Sequence, residues 1–250
     1  MRCGSFYDEL AELNNNLYFN YKKFKDYIFI DEYTDNTGIF IALYQKDNEY
    51  IFAVRDTDPL SWKDWQTNRA MEEGKIPKQF YSAKNYFKTL SYNPIIFTGY
   101  SLGGSIAQML GNMYGNETVC YEPYGTKNIL KGSNKSNIRN FGNLHDWVFT
   151  INFDNQVGEC YIMTVNATDD ETPNWYWHQY GLYGKPSSAK KYSEQTVIHN
   201  KEINTFKQTN YLKDKQKQAK ELIDKYSNEI NNQMNIVKNQ ATKLKQQLHK

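Results

Sequence analysis

The sequence predicts an α/β fold, a mostly parallel central sheet flanked by helices, and three observations lead there. Short apolar runs rich in β-branched and aromatic residues alternate with stretches of helical periodicity. One such run passes through a glycine-flanked serine straight into a small-residue helix. The 250 residues can bury a large core and suit one domain over residues 1–200 with an appendage over 201–250.

The elements follow in order. Over residues 5–24, Leu10, Leu13, Leu17, Tyr21 and Phe24 keep a three-to-four spacing, which predicts an amphipathic helix. A short strand fits 27–30. Residues 38–44 and 50–54 read as two strands joined by the turn residues Lys46, Asp47, Asn48 and Glu49. The second runs into a loop over 55–59. A short helix over 61–68 is capped by Ser61. Phe80, Ala83, Phe87 and Leu90 share one face of a helix over 78–90. Strands over 118–121, 137–141 and 159–165 follow, and Gly184 to Ser188 marks a domain edge.

The last segment differs. Ala219, Ile223, Tyr226, Ile230, Met234, Val237, Ala241, Leu244 and Leu248 step by three or four throughout. Two consecutive fours between Tyr226 and Met234 resemble a stutter in a heptad pattern. One long amphipathic helix is predicted, spanning roughly 60 Å at 1.5 Å per residue.

Formal net charge is +2, so nothing global points to nucleic acid. Residues 201–250 hold 11 Lys and 5 acidic residues, a net +6, which leaves −4 for residues 1–200. The three cysteines, Cys3, Cys120 and Cys160, form no disulfide framework and no Cys-x-x-Cys pair. No apolar h-region follows Met1, and no apolar run approaches the roughly 18 residues of a membrane span. The expectation is a cytoplasmic protein or one exported by a non-Sec route.

Ile95, Ile96 and Phe97 stand behind Pro94 and suit a buried parallel strand. Ile106, Met109 and Leu110 recur at helical spacing. Between them lies Gly99-Tyr100-Ser101-Leu102-Gly103. A serine that projects from a tight strand-to-helix turn needs small neighbours. A Cβ at position 99 or 103 is expected to collide across the turn. The following helix then aims its N-terminal N–H groups where negative charge would develop.

A serine hydroxyl is a poor nucleophile until a base takes its proton, and the base needs a carboxylate to fix its tautomer. For a nucleophile of this type the chain order is Ser, acid, His. His178, His199 and His249 stand late enough. His178, in a loop past the last clear strand, is the favoured base. Asp146 directly follows the 137–141 strand and is the favoured acid, with Asp154 as the alternative. Either aspartate equally suits a turn or a helix cap. Leu102, just after the nucleophile, supplies one oxyanion-hole N–H. The loop over 56–58 is placed to supply another through Thr57. The chemistry requires no metal and no cofactor.

Five blocks arrive in order: Phe52-Ala53-Val54-Arg55-Asp56-Thr57, Asp64-Trp65-Gln66-Thr67-Asn68, Gly99-Tyr100-Ser101-Leu102-Gly103-Gly104, Asn143-Leu144-His145-Asp146-Trp147-Val148, and His178. On these residues the chain resembles the class 3 lipases of the α/β-hydrolase fold, especially their Mbeg1-like branch, from about residue 5 to residue 184. That family's first block usually reads Phe-Arg-Gly-Thr/Ser, and Asp56 stands in the glycine's place. Its serine motif usually carries His where Tyr100 stands.

The resemblance implies a lipase or phospholipase that cleaves carboxylic esters of lipids at a transient membrane or lipid interface. It makes 58–77 a lid and turns Trp62 and Trp65 toward an acyl chain. Trp175 and Trp177, on either side of His178, suit a boundary between apolar and wet surroundings. The tail lies outside the resemblance. Its seam suits a coiled coil, and residues 205–250 are expected to mediate a homo-oligomer or bind a protein partner. A reading from another class is a catalytically lapsed hydrolase-fold binding module acting through that coiled-coil tail, supported by the departure at Asp56.

Overall fold

Strand residues that alternate between two apolar faces need a helical layer on each side, and this sequence provides both. In a computed structural model, residues 4–55, 71, 73–130, 136–143, 146–163 and 186–191 are described. All belong to the first of the chain's two units, Met1–Thr205, the other being Phe206–Lys250. Thr57, the helix over 61–68, Trp62, Trp65, Trp175, Trp177, His178, His199 and the whole of 201–250 lie outside the described residues.

Among the described residues eight strands form one sheet in chain order. They are β1 (Ile28–Thr34), β2 (Phe40–Lys46), β3 (Glu49–Arg55), β4 (Ile95–Tyr100), β5 (Thr118–Tyr121), β6 (Ile138–Gly142), β7 (Glu159–Ile162) and β8 (Lys190–Lys191). β1 to β3 form an antiparallel meander. The four pairings from β3 to β7 are parallel, and β8 returns antiparallel. The helices are α1 (Gly4–Asn16), α2 (Lys78–Thr89), α3 (Leu102–Tyr114) and two short ones, α4 (Lys127–Leu130) and α5 (Trp147–Ile151). The fold is α/β: a mostly parallel sheet with flanking helices, its serine turn at the carboxyl end of a central strand.

The core divides along the pleat. Ile41, Leu43, Phe52, Val54, Ile95, Phe97 and Cys120 face α2 and α3, packing with Phe80, Ala83, Ile106 and Leu110. Their neighbours Ala42, Tyr44, Ile51, Ala53, Ile96, Tyr100 and Val119 face α1, packing with Leu10, Leu13 and Leu17. Such two-sided burial is why these strands read as continuous apolar runs. Each large side chain removed from water contributes roughly 1.5–3 kcal/mol.

Several elements differ from expectation. The first helix ends at Asn16 rather than near residue 24. There the Asn16 side chain donates to the carbonyls of Asn20 and Lys23, offering the backbone a turn in place of further helix. β1 runs to Thr34, past the expected 27–30, because it is an edge strand whose outward residues Asp31 and Glu32 are exposed and hide the strand pattern. The helices α4 and α5 are too short to show a period.

Candidate active site

β4 is buried along its whole length and ends at Tyr100. Ser101 then takes φ 54° and ψ −122°, close to the first corner of a type II′ turn. Glycine usually occupies that corner. For a residue with a Cβ it costs on the order of 1–3 kcal/mol, and it persists only when its surroundings enforce it. Here they do. The Ser101 N–H donates to the Tyr121 carbonyl at 3.0 Å, and the Ser101 carbonyl accepts the Ser105 N–H at 3.0 Å, the first bond of α3. A Cβ on Gly99 would lie 2.4 Å from the carbonyl carbon and oxygen of Gly103. One on Gly104 would lie 3.0 Å from the Gly99 oxygen. Close approach of strand and helix backbones is therefore what demands glycine, and it reaches one residue beyond the pentapeptide.

The half-buried Ser101 makes no side-chain cap to α3, so its hydroxyl is not committed to the helix it precedes. Leu102, Gly103 and Gly104 open α3, where backbone N–H groups have no intrahelical acceptor and the helix dipole is positive. A developing oxyanion beside Ser101 would meet those donors. The second expected donor, Thr57, lies outside the described residues. The strand that leads to it is firmly held. Arg55, the last residue of β3, donates to the Leu17 carbonyl at 2.7 Å, and its guanidinium sits 4.2 Å from the Phe40 ring centre.

Parallel pairing brings the carboxyl ends of β4, β5 and β6 to one edge of the sheet. Past β6, Asp146 is fully buried. Its backbone N–H donates to Asn143 Oδ1 at 2.9 Å, and its Oδ1 accepts the Phe149 N–H at 3.0 Å, capping α5. The Thr150 hydroxyl also donates to the Asp146 carbonyl. Asp154 is exposed, on the 3-10 turn Phe153–Asn155. The two aspartates that the sequence leaves as alternatives thus differ sharply in surroundings. His178 lies outside the described residues.

The edge also holds an acid that sequence reasoning passed over. Glu122 directly follows β5 and is fully buried. It accepts the Asn143 backbone N–H at 3.0 and 3.2 Å and Asn143 Nδ2 at 2.7 Å. Burial, reinforced by the nearby Asp146, pushes its carboxyl well above the usual carboxylate range, and the Asn143 bonds only partly oppose this. Followed by Pro123 and Gly125, Glu122 reads in sequence as an ordinary turn residue. Its one signal is its position at the end of the strand beside the serine strand.

Among the described residues no cluster of His, Cys, Asp and Glu is arranged to hold a metal ion. Nor is any helix there long and apolar enough to cross a membrane.

No protein-family model matches this chain, and no curated protein matches it in sequence. Similar solved structures include a triacylglycerol lipase from Penicillium expansum, with a TM-score of 0.46 and 12% identity over 80% of this chain and 87% of that one. Another is a fungal lipase in an inhibitor complex, described as a model for interfacial activation. It has a TM-score of 0.43 and 12% identity over 66% of this chain and 80% of that one.

Proposed function

We propose that this protein is a serine hydrolase that cleaves carboxylic esters of lipids, a lipase or phospholipase. The observation that carries the reading is the backbone of Ser101, held at a corner that glycine prefers, at the mouth of a helix N-terminus. In this reading His178 takes the Ser101 proton as the hydroxyl oxygen attacks the ester carbonyl. Asp146 fixes the tautomer of His178 and stabilises the imidazolium. The N–H of Leu102, with Thr57, receives the negative charge of the tetrahedral intermediate. One such donor is worth roughly 3 kcal/mol in the transition state. Collapse breaks the carbon–oxygen bond to the alcohol, which leaves with the proton from His178. Water then attacks the acyl-enzyme by the same route and releases the fatty acid. Burial of Asp146 supports it over Asp154, because an exposed carboxylate orients an imidazole poorly against competing water.

A fluorophosphonate probe tests the proposal. The wild type is expected to label, and Ser101→Ala is expected to abolish that label. A wild type that does not label would overturn the proposal and leave the binding-module reading. A series of acyl esters and phospholipids of rising chain length then separates lipase from phospholipase. Within the triad, Asp146→Asn should remove ester hydrolysis while Asp154→Asn leaves it intact, and the reverse outcome would transfer the role to Asp154.

A further inference from the structure

Glu122 and Asp146 are the two fully buried carboxyl groups among the described residues, and a single amide stands between them. Asn143 gives its backbone N–H and its Nδ2 to the Glu122 carboxyl, while its Oδ1 accepts the Asp146 N–H. One end of this side chain is gripped by β5 and the other by the acid loop. The Glu122 backbone is itself unusual, with φ 45°, a region where residues other than Gly, Asn and Asp are seldom found. That conformation is fastened by the Glu122 N–H, which donates to the Phe141 carbonyl at 2.8 Å.

We propose that Glu122 is a positioning residue for the triad acid, setting the place of Asp146 through Asn143. This rests on the assignment of Asp146 under the proposed function. Among the described residues the ionisable group that interacts with Glu122 is Asp146, and both are fully buried. Like charges so placed do not both ionise readily. Burial favours the neutral form of Glu122. A glutamine has nearly the shape and charge of a neutral carboxyl, and through its single oxygen it can accept the two Asn143 bonds that meet at Oε1. An alanine leaves Asn143 without its anchor.

Full-length protein assayed with p-nitrophenyl butyrate from about pH 6 to pH 10 tests this. Displacement of a catalytic group by about 1 Å can cost on the order of a hundredfold, and Glu122→Ala is expected to lose about that much in kcat with KM little changed. Asn143→Ala should match it, and the double variant should add nothing, as for residues that act as a unit. Glu122→Gln should restore kcat to within about threefold of the wild type at neutral pH and remove any alkaline change caused by ionisation of Glu122. Wild-type kcat and pH profile in Glu122→Ala, or equal damage from Gln and Ala, would overturn the inference. If Glu122→Ala does not fold by circular dichroism, Glu122→Gln and Asn143→Ala decide it by the same criteria. A wild type unlabelled by fluorophosphonate sinks the hydrolase reading and this inference with it. A labelled wild type indifferent to changes at Glu122 sinks this inference alone.

Discussion

At the scale of single residues, the serine turn holds a strained backbone: Ser101 takes φ 54°, a corner that glycine usually fills. Replacement by glycine removes the steric cost of the corner but gives the unfolded chain more freedom to lose. The expected net effect of Ser101→Gly is a gain of about 1 kcal/mol in stability, read from the denaturant midpoint, with complete loss of fluorophosphonate labelling. A less stable variant would mean that the Ser101 side chain contributes to the fold. Gly99 stands at the opposite limit. Gly99→Ala places a methyl 2.4 Å from backbone that has no room to move, and a loss above roughly 2 kcal/mol is expected by the same measurement.

Glu122 gives a stability prediction of its own. Its folded carboxyl titrates above the unfolded value of about 4.5, so the folded chain binds more protons than the unfolded chain over the pH range between the two. Stability of the wild type therefore falls with rising pH across that range, at no more than about 1.4 kcal/mol per pH unit for one proton. Glu122→Gln has no such proton to hold. Its stability relative to wild type should grow as pH rises above about 4.5, measured by denaturation at a series of pH values. A difference that does not change with pH would mean that Glu122 ionises normally.

At the scale of elements, α3 is bound to the sheet by polar contacts as well as apolar ones. Gln108 Nε2 donates to Asn140 Oδ1 at 2.8 Å and Gln156 Oε1 at 2.9 Å, and Gln108 Oε1 accepts the Thr126 hydroxyl at 2.6 Å. All four side chains are buried. Gln156 passes the connection on to the Pro123 carbonyl at 2.8 Å, beside Glu122. The network fixes the chain after β5 and the chain before β7 against the helix that carries the serine. Gln108→Leu keeps the volume but leaves three buried partners unsatisfied, at about 1–3 kcal/mol for each group that finds no other partner. A destabilisation of at least about 2 kcal/mol in denaturant is expected, and a neutral result would show that the partners pair among themselves. On the other face of the sheet, Asn14 of α1 donates to Thr98 of β4 at 2.8 Å, a polar tie within a layer of leucines and tyrosines.

At the scale of the whole molecule, the sheet joins neighbours in chain order, so each parallel strand lies beside the one before it. Among the described residues, the buried side chains of both core layers run from Tyr7 to Met163. A chain ending at Thr205 is expected to fold and to keep its Ser101 label. Residues 205–250 alone should form helix whose circular dichroism grows with concentration, as a coiled coil requires. A monomeric, unstructured peptide would remove the partner-binding role proposed for the tail.

Sequence alone predicted the alternation of strands and helices and the glycine-flanked serine turn. Strand residues buried on both faces read as apolar runs, and a serine between glycines at a strand-to-helix junction states its own geometry. The place of Asp146 just past β6 was legible too, since the end of a parallel strand is a fixed address on the sheet. Only the tertiary structure decided how Asp146 and Asp154 differ, because burial depends on what packs over a loop and not on the loop's composition. Only it brought forward Glu122, whose partners lie 21 and 24 positions away along the chain. The serine turn shows both limits at once. The pentapeptide predicted a tight corner, but the tight fit at Gly104 and the strain at Ser101 became visible only where strand and helix backbones pack so closely that an added Cβ would lie 2.4 to 3.0 Å from the facing backbone.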